Sequence, residues 1–236
     1  MVKDKLILSI ETSTSSGSVA ITTGDVCVAE LFLQDGMSLS KKLFNMIETV
    51  MKYAGITYAS LDAVALSCGP GSFTGLRMGM STAKSIAFSL SIPFFAVPTF
   101  EIMLESLPDQ LPFIVQPFID ARKNEVYTAS FQWSEEKNIY ATLKDDANIK
   151  TPVFISNIHA PVFLLGDISL FKADKELHKL FVQKCENKDV IIKNIVPKAS
   201  DLGSITNQKI KKGENPTLFE VSPYYIRKSD AEIKKT

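Results

Sequence analysis

The chain has 236 residues, of which 45% are hydrophobic and 22% charged, and this composition is that of an ordinary globular protein with one domain or two small ones. Its 26 basic and 26 acidic residues cancel, which disfavours a chain that anchors nucleic acid or an anionic membrane by itself. Three scattered cysteines, Cys27, Cys68 and Cys185, favour neither a disulfide framework nor a zinc site. The apolar run from Leu6 to Ile10 is too short for a signal peptide and no stretch has bilayer length, so we expect a soluble, cytoplasmic protein.

The first half of the chain predicts a sheet interleaved with helices. An apolar strand within residues 5–12 ends at Glu11, and residues 17–33 are predicted to form a hairpin. A helix is predicted to open at Ser38 or Ser40 and to run to about Ala54. The other predicted elements of this half are a buried strand at 63–67, a helix from Ser72 or Thr74 to Leu90, a short strand beginning at Ile92, and a helix at about 99–106.

The helix at 39–54 carries a wider apolar arc than a sheet alone can cover, about 180° against the roughly 100° of a one-sided helix. The arc consists of Leu39, Leu43, Phe44, Met46, Ile47, Val50, Met51 and Tyr53. We expect its excess, chiefly Phe44 and Met51, to be exposed in the isolated chain.

The helix that follows carries small or adaptable residues on its far side, flanked by Arg77 and Lys84 as its only charges. That far side consists of Met78, Ser81, Thr82, Ser85 and Ser89. Methionine and aromatic side chains beside a closely approachable face are typical of protein–protein contacts. The two helices therefore predict a surface for a helical partner, although packing of the helices on each other inside one domain would explain the same pattern.

The pattern restarts after a proline-rich break at 107–112, where we place the boundary between lobes 1–108 and 109–236. Three strands, helix, strand, helix, strand, helix occurs in each half, and Glu11 and Asp120 end the first strand of each. The second half is predicted to contain strands on both sides of a turn within 112–133, strands at 138–144, 161–167 and 190–192, helices at 152–158, 173–183 and 197–211, and an extended tail through Ile226. This duplication predicts two similar α/β lobes, each with a five-stranded sheet that mixes an antiparallel hairpin with parallel strands.

The glycine loop at 69–75 is the main candidate for anion binding, because backbone N–H groups at a helix start attract anions. Its spacing matches neither the P-loop nor the dinucleotide fingerprint, so Gly69 and Gly71 could instead permit a tight turn. Glu11 and Asp120 could hold a magnesium ion between the lobes or order the turns that follow them, and we favour the second role. The two histidines lack a paired ligand spacing and no serine lies on a nucleophile elbow, so we expect no catalytic or metal-binding residue.

Several segments resemble the bacterial TsaB (YeaZ) family, whose members belong to the machinery that installs threonylcarbamoyl on adenosine 37 of tRNAs reading ANN codons. These segments are LILSIETSTSSGSVAI, LSCGPGSFTGLRMGMSTAKSIAF, VPTFE, IDARKNEVY and PYYIRKSD. The resemblance implies the actin-like (ASKHA) fold of two ribonuclease-H-like lobes. It also implies a non-catalytic dimerisation subunit, because the catalytic relative TsaD holds its metal with an H-x-x-x-H motif that this chain lacks.

The resemblance implies that the chain pairs with TsaD through a helix bundle of the first lobe, and with itself when TsaD is absent. The ATPase TsaE then binds the pair, and a separate synthase supplies threonylcarbamoyl-adenylate. The implied interface lies on the helices 39–54 and 74–90 and consists of Leu39, Leu43, Phe44, Ile47, Met51, Arg77, Met78, Ser81, Thr82 and Ser85. No cofactor is expected on this chain alone, whereas ATP and a metal ion are expected in the assembled complex, which also provides the contact with tRNA.

The chain departs from the family at three positions: Leu39 stands where histidine is common, Asn45 where proline is usual, and Glu11 where aspartate is common. The first two lie on the implied interface helix. An alternative function is an ATP-dependent phosphotransferase of the sugar-kinase type that uses the cleft between the lobes. A protease would need a nucleophile or metal constellation that the sequence lacks.

Overall fold

A computed structural model describes residues 4–34, 39–172, 174–217 and 221–226 and divides them into two compact units. The first unit comprises the residues up to Glu105 together with Pro197–Tyr225, and the second comprises Ser106–Val196 with Ile226. The predicted start of the first helix at Ser38 and that of a later helix at Ala173 lie outside the described residues.

The first unit contains one five-stranded sheet with helices on both faces. Its elements are β1 (Leu6–Glu11), β2 (Gly17–Thr23), β3 (Val26–Leu33), α1 (Leu39–Ala54), β4 (Ala63–Gly69), α2 (Phe73–Leu90), β5 (Phe94–Pro98) and α3 (Thr99–Glu105). The strand order is β3-β2-β1-β4-β5. Strands β1, β2 and β3 pair antiparallel, whereas β1, β4 and β5 pair parallel.

The second unit repeats this arrangement. Its elements are β6 (Ile114–Arg122), β7 (Glu125–Ser134), β8 (Ile139–Lys150), α4 (Thr151–Ser156), β9 (Val162–Gly166), α5 (Lys175–Cys185) and β10 (Val190–Asn194). The strand order is β10-β9-β6-β7-β8, with the antiparallel and parallel pairs at the same places as in the first sheet. The repeat confirms the predicted α/β fold of two ribonuclease-H-like lobes, the ASKHA architecture.

The last helix, α6 (Ala199–Lys211), follows the second sheet in the chain but packs in the first unit. Its Leu202 and Ile205 belong to the same apolar cluster as Ile7, and the Ala199 amide donates to Ser18 Oγ at 2.8 Å. The predicted division at residue 108 assigns this helix to the second lobe. The structure differs because the apolar face of α6 completes the core of the first sheet.

Alternation of side chains along the first sheet gives the first unit two separate apolar layers. Val64 and Leu66 of β4 face one cluster with α1 and α2, while Ala63 and Ala65 face another with α3 and α6. The helices α1 and α2 therefore lie on the same face of the sheet.

Among the helices that the structure describes, none has both the length and the apolar character needed to cross a bilayer. The cytoplasmic location stays a prediction.

Candidate functional site

The turn after β1 is organised by the buried carboxyl group of Glu11. Glu11 Oε1 accepts hydrogen bonds from the Ser13 amide and from Ser13 Oγ, both at 2.6 Å. Burial raises the pKa of Glu11 from 4.5 to about 7, although the hydrogen bonds from Ser13 favour the charged form. Among the described residues, the second oxygen, Oε2, is buried and has no hydrogen-bond partner.

Asp120 lies near the end of β6, two residues before its last residue Arg122, and makes the matching contact. Its Oδ1 accepts from the Arg122 amide at 2.7 Å, and its Oδ2 pairs with Arg122 Nη1 at 3.1 Å. Both acids thus bind the backbone two residues further on and order the turns that follow them. A nucleotide contact at Glu11, Gly69, Gly71 or Asp120 stays a prediction.

The glycine loop between β4 and α2 packs against the turn that Glu11 orders. The Ser72 amide donates to the Ser13 carbonyl at 2.6 Å, and Thr12 Oγ1 donates to the Gly75 carbonyl at 2.9 Å. A Cβ atom at Gly71 would collide with the Ser13 carbonyl oxygen, and one at Gly75 with that of Thr12. Glycine at these two positions therefore serves close packing of two backbone segments.

Cys68, at the end of β4, is the thiol nearest to this loop in the sequence. Burial raises its pKa to about 11, so the thiol stays protonated at neutral pH and is a poor nucleophile. Within the described ranges, no group of three or more histidine, cysteine, aspartate or glutamate side chains could hold a metal ion.

The structure divides the predicted interface residues of α1 between its two sides. Leu39, Leu43, Ile47 and Met51 are buried in the cluster that α1 shares with the sheet and α2. Phe44 keeps 60% of its surface exposed, as predicted. The predicted exposure of Met51 is wrong, since only 4% of its surface is accessible. The arc of α1 is wide because it contacts α2 and the segment after α1 as well as the sheet.

The predicted interface residues of α2 divide in the same way. Arg77, Ser81 and Ser85 are exposed, Met78 is half-buried and Thr82 is buried. On the inner side, Met80, Ala83 and Ala87 join the cluster with α1. The packing of α1 and α2 on each other thus explains part of their apolar pattern. It leaves small exposed side chains on the outer side of α2.

The C-terminal tail contacts this outer face, a feature that local sequence patterns did not reveal. Tyr225 stacks on Phe73 with 4.8 Å between ring centroids, and its hydroxyl accepts from Arg77 Nε at 3.0 Å. Lys84 Nζ donates to the Val221 carbonyl at 2.5 Å. Arg77 and Lys84, the two charges that flank the far side of α2, are therefore both bonded to the tail. The available signal was the adjacent pair of tyrosines, Tyr224 and Tyr225, in the tail.

The chain matches the family model described as TsaD, tRNA N6-adenosine threonylcarbamoyltransferase, over residues 37–235. It is 25% identical over 234 residues to the tRNA threonylcarbamoyladenosine biosynthesis protein TsaB of Bacillus subtilis strain 168, covering 97% of this chain and 96% of that protein. The protein of the same name from Escherichia coli K12 is 26% identical over 229 residues, covering 95% and 96%.

A solved structure described as YeaZ from Pseudomonas aeruginosa superimposes with a TM-score of 0.71 at 21% identity, covering 94% of this chain and 99% of that one. At this identity the superposition shows a shared fold. The family model, by contrast, covers well over half of the chain. The chain therefore belongs to the TsaB (YeaZ) family of tRNA threonylcarbamoyladenosine biosynthesis proteins.

Proposed function

We propose that this chain is a non-catalytic subunit that docks and activates a TsaD protein in the complex that forms N6-threonylcarbamoyladenosine at position 37 of tRNAs reading ANN codons. The match to the TsaD family model and the names of the two relatives support the pathway. The proposed docking site is the outer face of α1 and α2, which we call the α1–α2 face. It consists of the exposed side chains of Leu39–Ala54 and Phe73–Leu90.

The observation that carries the docking proposal is the exposure of an aromatic side chain on each flank of α1. Phe44 and Tyr53 keep 60% and 83% of their surfaces accessible, and their nine-residue separation places them about 180° apart around the helix axis. Burial of large aromatic side chains supplies much of the energy of protein–protein interfaces. On α2, the small exposed side chains of Ser81 and Ser85 would let a partner helix approach closely. A docked helix pair would complete a four-helix arrangement.

The candidate anion- and metal-binding residues, Glu11, Asp120 and the glycine loop, make structural contacts within the chain, which supports an accessory function. Glu11 and Asp120 bind their own turns, and the glycine loop packs against residues 12–13. ATP and a metal ion would enter with the assembled complex, and the ATPase TsaE would bind the pair. Contact with tRNA would likewise come through the complex. Pairing of the chain with itself stays a prediction.

Co-purification with the cognate TsaD protein, followed by threonylcarbamoylation of tRNA with and without this chain, tests the proposal. We expect a stable pair and product formation that depends on the chain. Phe44→Asp and Ser81→Arg should weaken co-elution while the melting temperature stays near that of the wild type. Leu143→Asp, an equally exposed apolar position on β8, is the matched control and should co-elute normally. Unchanged co-elution of both interface variants would contradict the docking site.

A further inference from the structure

The outer strands of the two sheets differ in how their free edges are protected. These edge strands are β3 and β5 in the first unit and β8 and β10 in the second. An unprotected edge presents backbone N–H and C=O groups that can pair with another extended chain. Proteins therefore shield most edges with charged side chains, bulges, short strands or a covering segment.

The edges of β5, β8 and β10 are each shielded in one of these ways. At β5, the Thr217 amide donates to the Phe94 carbonyl at 2.6 Å, and the Ala96 amide donates to Thr217 Oγ1 at 2.8 Å. The strand β10 has only five residues. The strand β8 pairs with β7 in an irregular register and carries the charged residues Lys144, Asp145, Asp146 and Lys150. These edges are poor sites for a further strand.

The edge of β3 has little of this protection. Its eight residues include one charged side chain, Glu30, and neither lysine nor proline. Among the described residues, no backbone group of Val26–Leu33 forms a backbone hydrogen bond with a segment other than β2. A bulge at Val28 interrupts the pairing with β2, but Ala29–Leu33 pairs with β2 in a regular register. The outer side of Ala29–Leu33 is therefore a continuous free edge.

Apolar side chains along β3 are exposed although the strand is firmly held. Leu31 and Leu33 pack against the apolar cluster that contains α1. Val26, Val28 and Phe32 keep 61%, 42% and 39% of their surfaces accessible. A strand added beside β3 would cover part of this apolar surface and would also satisfy the outward backbone groups.

The charge beside this edge is negative. Glu30 accepts hydrogen bonds from the amide and the hydroxyl of Ser200, at 3.1 and 2.9 Å, and these neutral donors leave its negative charge in place. Burial raises the pKa of the Cys27 thiol, and the charges of Glu30 and Asp201 raise it further, so the negative field extends along the strand. A lysine or arginine opposite Glu30 would therefore favour the pairing of an added strand.

We propose that the free edge of β3 binds an extended peptide segment of another protein, rich in basic and apolar residues, as a sixth strand of the first sheet. The segment pairs with Ala29–Leu33 in the antiparallel orientation, which is the more stable one. Its apolar side chains cover Val28 and Phe32, and its cation lies opposite Glu30. The site lies outside the α1–α2 face, so the proposal does not depend on the docking of TsaD.

Synthetic peptides provide the probe. The first peptide has eight residues, the length of β3, and alternates valine with lysine or threonine. A second peptide has proline in place of each threonine, so it lacks backbone donors that a strand needs. A third has glutamate in place of each lysine. In calorimetric titrations of the full chain, we expect the second and third peptides to bind about tenfold more weakly than the first.

Three variants of the chain examine the site itself. Phe32→Lys introduces a charge of the kind that shields natural edges and should raise the Kd of the first peptide about tenfold. Glu30→Gln keeps an acceptor for Ser200 but removes the charge, so the Kd should rise about two- to fivefold. Leu143→Lys, at an exposed apolar position of β8, is the matched control and should change the Kd less than about twofold. Thermal melting checks that each variant is folded.

Hydrogen exchange of the chain with and without the first peptide locates the binding. Slower exchange at Ala29–Leu33, weaker binding of the second and third peptides, and selective losses in the two β3 variants support the proposal. Absence of binding, equal binding of the proline peptide, or protection only outside β3 would overturn it. Protection of the same amides that grows with the concentration of the chain alone would assign the edge to a second copy and would also overturn it. None of these results alters the proposed docking of TsaD, which co-elution tests separately.

Discussion

The two helical layers of the first unit bury similar apolar faces but differ in the contacts of their outer side chains. On the α3–α6 side, the acids of α3 have partners on α6: Glu101 pairs with Lys209 at 3.3 Å, and Glu105 accepts from Ser204 Oγ at 2.7 Å. On the α1–α2 side, Phe44 remains exposed and the described residues give Lys41 no ion pair. The acids of α3 are thus bound by the neighbouring helix α6, whereas α1 and α2 bond to the C-terminal tail through Arg77 and Lys84 and leave Phe44 and Lys41 exposed to a partner.

Substitutions of two adjacent residues of α1, Leu43 and Phe44, should distinguish a side chain needed for folding from one available for docking. The loss of stability at Leu43 is the largest effect that we expect. Leu43 is 1% exposed, so Leu43→Ala should lower the free energy of unfolding by about 2–5 kcal/mol. Phe44→Ala should change it by less than about 0.5 kcal/mol, because the side chain is mostly in solvent. Urea denaturation of both variants measures the difference. An equal loss for Phe44→Ala would mean that Phe44 belongs to the core.

The pH dependence of stability tests the other face of the sheet. Glu11 and Ile7 are four residues apart on β1, so both side chains point to the face that α3 and α6 cover. The pKa of Glu11 is about 7 in the folded chain against 4.5 when solvated, so the folded state binds the proton more tightly. This group therefore makes stability fall as pH rises from about 4.5 to about 7, by on the order of 3 kcal/mol at most. Above pH 7 the contribution is constant.

Glu11→Gln should remove that pH dependence, because the amide cannot ionise. The variant should gain stability relative to the wild type between pH 5 and 8, as measured by urea denaturation across this range. Asp120→Gln at the matching turn should not reproduce the gain, since Asp120 is partly exposed and paired with Arg122. Parallel stability curves for wild type and Glu11→Gln would show that Glu11 titrates normally.

The repeated order of elements and the turn-ordering acids could be predicted because they depend on local patterns. The outer exposure of Phe44 could be predicted from helical periodicity, but the burial of Met51 could not, since it depends on which elements lie beside α1. The placement of α6 was missed for the same reason: periodicity shows that a helix has an apolar face, not which sheet the face covers. The contact between Arg77 and Tyr225 joins residues far apart in the sequence and has no local signature.

The packing of the glycine loop and the first turn of α2 against Thr12 and Ser13 predicts a smaller loss of stability. Gly75→Ala places a Cβ against the Thr12 carbonyl, so we expect a cost of about 1–3 kcal/mol. Ser81→Ala, at an exposed position of the same helix, serves as the control and should be nearly neutral. Differential scanning calorimetry compares the two. A neutral Gly75→Ala would show that the loop stands further from β1 than the structure places it.

Substitutions of Tyr225, which holds the C-terminal tail on α2, should have the smallest effect on stability. Tyr225→Phe keeps the stacking on Phe73 but loses the hydrogen bond from Arg77, at a cost of about 0.5–1 kcal/mol for release of the tail. Tyr225→Ala loses both contacts and should release the tail more often. Limited proteolysis of the tail should be fastest for Tyr225→Ala and intermediate for Tyr225→Phe. Identical cleavage rates for all three proteins would contradict the contact.

The most direct test of the account is hydroxyl-radical footprinting of this chain with and without the cognate TsaD protein. Phe44 and Tyr53 are accessible enough to be oxidised in the free chain, as is Leu143 in the second unit. If TsaD docks on the α1–α2 face, oxidation of Phe44 and Tyr53 should fall on addition of TsaD while that of Leu143 is unchanged. Undiminished oxidation of Phe44 and Tyr53 in a complex that has formed would contradict docking through the α1–α2 face.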